Sequence, residues 1–162
     1  MFTDIVLLER NKEIKDFMEK ELGFSNVFFK EDFDKLSLVI GGDAFKNLKA
    51  LENKNTKILV SAESRERDSM HQRNSGLNQV LCKLAAKNKI IIGFSLSNID
   101  SLEMLGKVMQ NIKLCKKYKV RMIFITLAKN KFELRDARDM IAFCRVLGMN
   151  PLEAKNALSY TQ

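Results

Sequence analysis

Short apolar runs alternate with longer amphipathic stretches along the whole chain, and that alternation predicts β/α units. "TDIVLLE" at 3–9 reads as a strand, "NKEIKDFMEKELG" at 11–23 as a helix closed by Gly23, and "NVFFKE" at 26–31 as a short strand. "KLSLVIGG" at 35–42 is a strand ending in two glycines, "DAFKNLKALENK" at 43–54 a helix with Asp43 as N-cap, and "KILVSA" at 57–62 a strand again. In the second half, "KIIIGFSLS" and "RMIFITLA" are unbroken β-branched and aromatic runs, the pattern of strands covered on both faces. Between them, "DSLEMLGKVMQNIKLCKKYKV" sets Leu102, Leu105, Met109 and Ile112 at helical spacing behind a D-x-x-E start at Asp100 and Glu103. "FELRDARDMIAFCRVLG" is a helix ending at Gly148, and "NPLEAKNALS" opens a last helix with Pro151 in its first turn.

About six strands alternating with helices imply a parallel α/β sheet, because parallel strands need crossovers and helices supply them. An open doubly wound sheet and a closed barrel both fit. A full eight-unit barrel takes about 250 residues, so a barrel in 162 would have to be abbreviated. A chain of that length with 46% hydrophobic residues is expected to form one domain over 1–162.

Charge adds a partner class. Lys and Arg number 28 against 20 Asp and Glu, a net charge of +8, which favours a polyanion. Cys82, Cys115 and Cys144 are far apart and embedded in apolar helical segments, as reduced core cysteines of an intracellular protein would be. With one histidine and no paired cysteines, no zinc ligand set can be assembled. No apolar run reaches the roughly 20 residues of a membrane span and the start lacks a secretory pattern, so the expected address is cytoplasmic and no membrane partner is expected.

The loop "SAESRERDSMHQRNSG" follows the strand at 57–62, at the strand's carboxyl end, where α/β proteins place their sites. Two readings compete for it. An enzyme, a metal-dependent phosphoesterase, would use Glu63, Asp68 and His71 around a metal, although His71 has no second histidine near it. A binding loop would use Arg65, Arg67 and Arg73 on a phosphate beside a helix entrance capped by Ser75. Glu63, Glu66 and Asp68 could equally neutralise those arginines as surface pairs. On the helix that follows, Leu77, Val80, Leu81, Leu84 and Ala85 form an apolar face, with Lys83 turned outward. Arg135, Arg138 and Arg145 are placed on one side of the next-to-last helix, Arg135 near its amino end, where an anion would be favoured. "VIGGDAF" lacks the spacing of either glycine-rich phosphate loop and reads as a tight turn.

Taken together, "HQRNSGLNQVLCKLAAKNKIIIGFS", "LCKKYKVRMIFITLAKNKFELRDARDMIAFCRVLGM" and "EAKNALS" resemble the protein-component-3 family of archaeal and eukaryotic ribonuclease P. The similarity covers about residues 57–160, with "RNSGLNQVLCKLA" its most specific piece. The resemblance implies an abbreviated or irregular TIM-barrel-like fold, parallel strands ringed by helices. It implies a subunit that binds and stabilises the catalytic RNA for removal of the 5′ leader from precursor tRNA. The chain itself is then not catalytic and carries no cofactor or metal, magnesium accompanying the RNA subunit. The implied partners are ribonuclease P RNA, precursor tRNA within the holoenzyme and a small RRM-like protein subunit. "RNSGLN" matches at Arg73, Asn74, Ser75, Gly76 and Asn78, and "ELR" at Glu133, Leu134 and Arg135. The resemblance makes Arg73, Asn74 and Arg135 candidate RNA contacts, and Ser75, Gly76 and Asn78 the helix entrance. Arg65, Arg67, His71, Lys83 and Arg138 are added from their own charge and placement.

Overall fold

The computed structural model describes residues 1–68, 70 and 74–160. Among these, the strands are β1 (Thr3–Ile5), β2 (Asn26–Phe28), β3 (Leu38–Ile40), β4 (Ile58–Val60), β5 (Ile91–Ser95) and β6 (Met122–Ile125). The helices are α1 (Lys12–Lys20), α2 (Phe33–Leu36), α3 (Ala44–Glu52), α4 (Gln79–Lys87), α5 (Leu102–Lys117), α6 (Ala137–Val146) and α7 (Pro151–Ala157). Every strand pair is parallel, β1 with β2 and β3 through β6 in chain order. The amide of Leu127 donates to Ile5 O at 3.0 Å and that of Leu7 to Ala128 O at 2.9 Å, which joins the two sheets between β1 and β6. The result is an irregular β/α barrel of strand order β2-β1-β6-β5-β4-β3: the alternation of the sequence implied the parallel strands, and the family resemblance the barrel. Between β2 and β3, no strand pairing closes the ring among the described residues.

Side chains alternate across each strand, so the barrel has two cores. One cluster contains Ile5, Ile58, Val60, Ile91, Ile123 and Ile125 and fills the barrel interior. Leu59, Ile92, Phe94 and Phe124, at the intervening positions, pack outward against the helices. Gly93 is small for a reason: a Cβ there would stand 2.7 Å from Val60 Cγ2 and 3.3 Å from Ile123 Cγ1. Leu36 of α2 lies in the interior cluster and Phe33 packs against it, alongside Phe28 of β2 and Leu38 of β3. The run at 35–37 is therefore the end of a helical turn, with Ser37 left-handed at φ 49°, and the third strand starts later than the hydrophobic pattern implies.

Capping follows residue chemistry closely. Asn11, Asp43, Asn78, Ser101, Asp136 and Asn150 each accept a backbone N–H at a helix start. Asn150 and Glu153 complete a reciprocal box around Pro151. The cysteines are free and buried, as expected of core residues.

Candidate nucleic-acid interface

The loop after β4 sits at the strands' carboxyl ends and is anchored from below by three buried polar side chains. Glu63 is 1% exposed and accepts hydrogen bonds from Asn111 Nδ2 and Asn98 Nδ2, each at 3.3 Å. Burial pushes its carboxyl above the usual range, against the pull of those two amides. Asn111 also donates to Ser75 O at 2.8 Å and so ties the two ends of the loop to α5. Lys107, likewise 1% exposed, donates from Nζ to Ser64 O at 2.9 Å and Glu66 O at 2.7 Å. It also pairs with Glu103 at 2.9 Å and lies 3.9 Å from Asp68. A buried ammonium needs such partners, and here the partners are the loop's own carbonyls. Neither Lys107 nor Asn111 stands out in the sequence, where each is one polar residue on a helix whose other buried positions are apolar.

Above these anchors the charged side chains face solvent. Arg65 is exposed and bridges Asp100 Oδ2 and Asn98 Oδ1, both at 2.8 Å, so an arginine of this loop does form a surface pair, with an acid outside the loop. Arg67 is exposed and has no partner among the described residues. Asn74 closes the loop on itself, its amide donating to Asp68 Oδ1 at 2.8 Å and its Nδ2 to Glu66 Oε2 at 3.0 Å. His71 and Arg73 lie outside the described residues.

At the helix entrance the expected cap is corrected. Ser75 does not cap α4; Asn78 does, accepting the amide of Leu81 at 2.9 Å. Gly76 is the cause, since its φ of +88° is incompatible with a helical turn. A Cβ at Gly76 would stand 2.0 Å from Ala62 O, so this glycine lets the loop press against the end of β4. Ser75 is buried there and donates from Oγ to Leu77 O. Val80, expected on the buried face of this helix, is exposed, and Cys82 takes its place in the core.

The basic stripe is corrected as well. Arg135 precedes α6 rather than lying on it, because Asp136 is the N-cap and Lys131–Glu133 form a separate helical turn. Its Nη1 donates to Phe132 O and Leu134 O, both at 2.7 Å. Arg138 and Arg145 remain exposed on α6, and Lys83 is exposed on α4. Lys83 and Lys117 flank the Tyr118 ring, 5.9 and 5.6 Å from its centroid, and the tyrosine hydroxyl donates to Gln79 at 3.1 Å. That ring between two cations is absent from the sequence-based expectations; the run "KKYK" at 116–119 is the signal that carries it.

The geometry offers little to a metal. Glu63 is held by Asn98 and Asn111, and Asp68 by the Asn74 amide. Among the described residues, no group of three or more His, Cys, Asp or Glu side chains is placed to hold a metal ion. A cavity of about 390 Å³ opens at the barrel mouth between Lys46, Arg65 and Lys129, with Glu63 in its wall. The two glycines of "VIGG" do not offer it a free anion cradle, since the Gly42 amide donates to Asn47 Oδ1 and Asp43 caps the helix behind them. Among the described residues, no helix is long and apolar enough to cross a membrane.

A family model described as "RNase P subunit p30" matches residues 64–162. "Ribonuclease P protein component 3" of Methanosarcina mazei is 34% identical over 137 residues, 81% of this chain and 54% of the relative. The protein of the same description in Methanococcoides burtonii is 36% identical over 132 residues, covering 76% of this chain and 51% of the relative. In Methanocaldococcus jannaschii the identity is 28% over 156 residues, 93% of this chain and 60% of the relative. The chain spans about half the length of the curated relatives it matches. A chain in a cryo-EM structure of archaeal ribonuclease P with mature tRNA superposes with a TM-score of 0.64 at 24% identity, over 96% of this chain and 76% of that one. The likeness in fold thus extends to the amino-terminal strands, which precede the stretch matched by the family model.

Proposed function

This chain belongs to the RNase P subunit p30 family, and from that premise we propose that it is a protein subunit of ribonuclease P that binds and stabilises the catalytic RNA for removal of the 5′ leader from precursor tRNA. The observation that carries this reading is the loop after β4. Arg65 and Arg67 face solvent while Lys107, Glu63 and Asn111 hold its backbone from inside. Cations presented on a backbone that is already fixed lose little freedom on meeting a phosphate, which favours binding over a floppy basic tail.

In this reading Arg65, Arg67, Arg73 and Asn74 contact the RNA backbone from the loop, His71 accompanies them, and Lys83, Arg135 and Arg138 extend the surface. Arg65 exchanges an exposed carboxylate partner, which is worth little, for a phosphate. Bond breaking belongs to the RNA, magnesium accompanies the RNA, and the protein holds no metal of its own. The engagement of Glu63 and Asp68 by amides supports that division, because carboxylates committed to hydrogen bonds are poor candidates for a phosphoesterase centre. Precursor tRNA is met within the assembled particle in the cytoplasm, beside a small RRM-like protein subunit.

Reconstitution tests the proposal. Ribonuclease P RNA with the companion proteins should cleave precursor tRNA at low magnesium only when this chain is added. Replacing Arg65, Arg67 and Arg135 by alanine should weaken RNA binding and lower the slope of log affinity against log salt by about 1 for each phosphate no longer neutralised. Cleavage that does not depend on the chain, or binding indifferent to both salt and these substitutions, would refute it.

A further inference from the structure

The turn between β6 and α6 presents Phe132 to solvent at 78% exposure. An aromatic ring left in water is ordinary on a loose loop, but this loop is built to stay in place. Asn130 accepts the amide of Phe132 at 2.9 Å. Glu133 gathers three donors: the Lys129 amide at 2.9 Å, Asn130 Nδ2 at 2.7 Å and Ser97 Oγ at 3.1 Å. Arg135 Nη1 clamps the carbonyl of Phe132 itself. Those bonds hold the Glu133 carboxyl below the usual range, the Lys129 amide contributing most. The backbone is therefore fixed beneath a ring that itself packs into no core.

The surroundings of the ring are cationic. Lys131 Nζ lies 5.3 Å from its centroid, and the guanidinium of Arg135 is fixed to the Phe132 carbonyl. Lys129 is exposed on the same turn, its side-chain charge acting on the Glu133 carboxyl. Glu133, the acid within the turn, is consumed by its three donors. A flat apolar face among cations is the combination that takes a base from a single strand, the ring stacking on the base and the cations meeting its phosphate. A hydrophobic protein partner would gain nothing from the flanking charges, and a rigid duplex offers no free base face.

We propose that Phe132 is a stacking platform for an unpaired nucleobase of the bound RNA, with Lys131 and Arg135 neutralising the adjoining phosphates. The inference rests on the RNA-binding role argued above and names a contact of a different kind: one that reads an unpaired base rather than charge. Its energy is insensitive to salt, whereas that of the arginines is not.

The test uses the full chain and transcribed ribonuclease P RNA, with affinity measured across a salt series for the wild type, Phe132→Ala, Phe132→Tyr and Lys131→Ala. Phe132→Ala is expected to weaken binding about tenfold at every salt concentration, leaving the salt slope unchanged. Phe132→Tyr should retain wild-type affinity, and Lys131→Ala should lower the slope. The ring is on the surface, and circular dichroism should show an unaltered fold for each variant. Wild-type affinity in Phe132→Ala would overturn the inference and leave the RNA-binding role standing. So would a deficit that appears only when the companion protein is present, since the ring would then meet protein. Failure of the wild type to bind the RNA at all would remove both.

Discussion

Asp4 is an acid set where water does not reach it. It is fully buried in β1 and accepts hydrogen bonds from the Thr126 amide at 2.7 Å, the Thr126 hydroxyl at 2.7 Å and the Ile5 amide at 2.9 Å. Burial outweighs these bonds and raises its pKa from 3.8 to about 6. The folded chain thus holds this proton more tightly than the unfolded chain, so the associated stability is complete below about pH 4 and is lost as pH rises through about 6. Asp4→Asn mimics the protonated acid, with the amide oxygen accepting from the backbone and the amide nitrogen donating to Thr126 Oγ. Urea denaturation should show this variant free of that pH dependence and more stable at neutral pH, by at most about 3 kcal/mol. Single residues of this kind are the least legible in the sequence. Asp4, Glu63, Lys107 and Asn111 look like ordinary polar positions until long-range partners 122, 48, 43 and 36 residues away are in place.

Elements are more legible than their ends. The strands follow from short apolar runs, because parallel strands are covered on both faces, and the long helices from period-3.6 patterning, because burial on one face drives it. Helix starts move by up to a few residues where two capping residues compete. At α5, Ser101 accepts the Met104 amide while the neighbouring Asp100 turns to Arg65. Leu102, placed on the buried face by spacing, is 86% exposed, and Met104 and Val108 carry that face instead. At α4 the deciding residue is Gly76, whose close approach to β4 displaces the helix start to Asn78. Gly76→Ala would combine a left-handed backbone with a clash against Ala62 O, and should lower stability by about 2 kcal/mol or more in thermal or denaturant unfolding. Because the same glycine seats the loop behind Arg65 and Arg67, RNA affinity should fall with it.

For the whole molecule, the net charge of +8 points to a polyanion without any geometry, and the β/α rhythm points to parallel strands with helical crossovers, in an open sheet or a barrel alike. Ring order is beyond reach of the sequence, since pairing β1 with β6 brings together strands at opposite ends of the chain. So is the bridging of β2 and β3 by α2, where Phe33 and Leu36 stand in for a ladder. A ring that closes through side chains on one flank is like a rolled ribbon with two free hems, and ribbons fray from the hems. Deuterium uptake by backbone amides should accordingly be fastest in β2 and β3 and slowest in β5 and β6, grading with distance from the gap. Uniform uptake around the ring would mean that one phenylalanine and one leucine lock it as firmly as hydrogen bonds do.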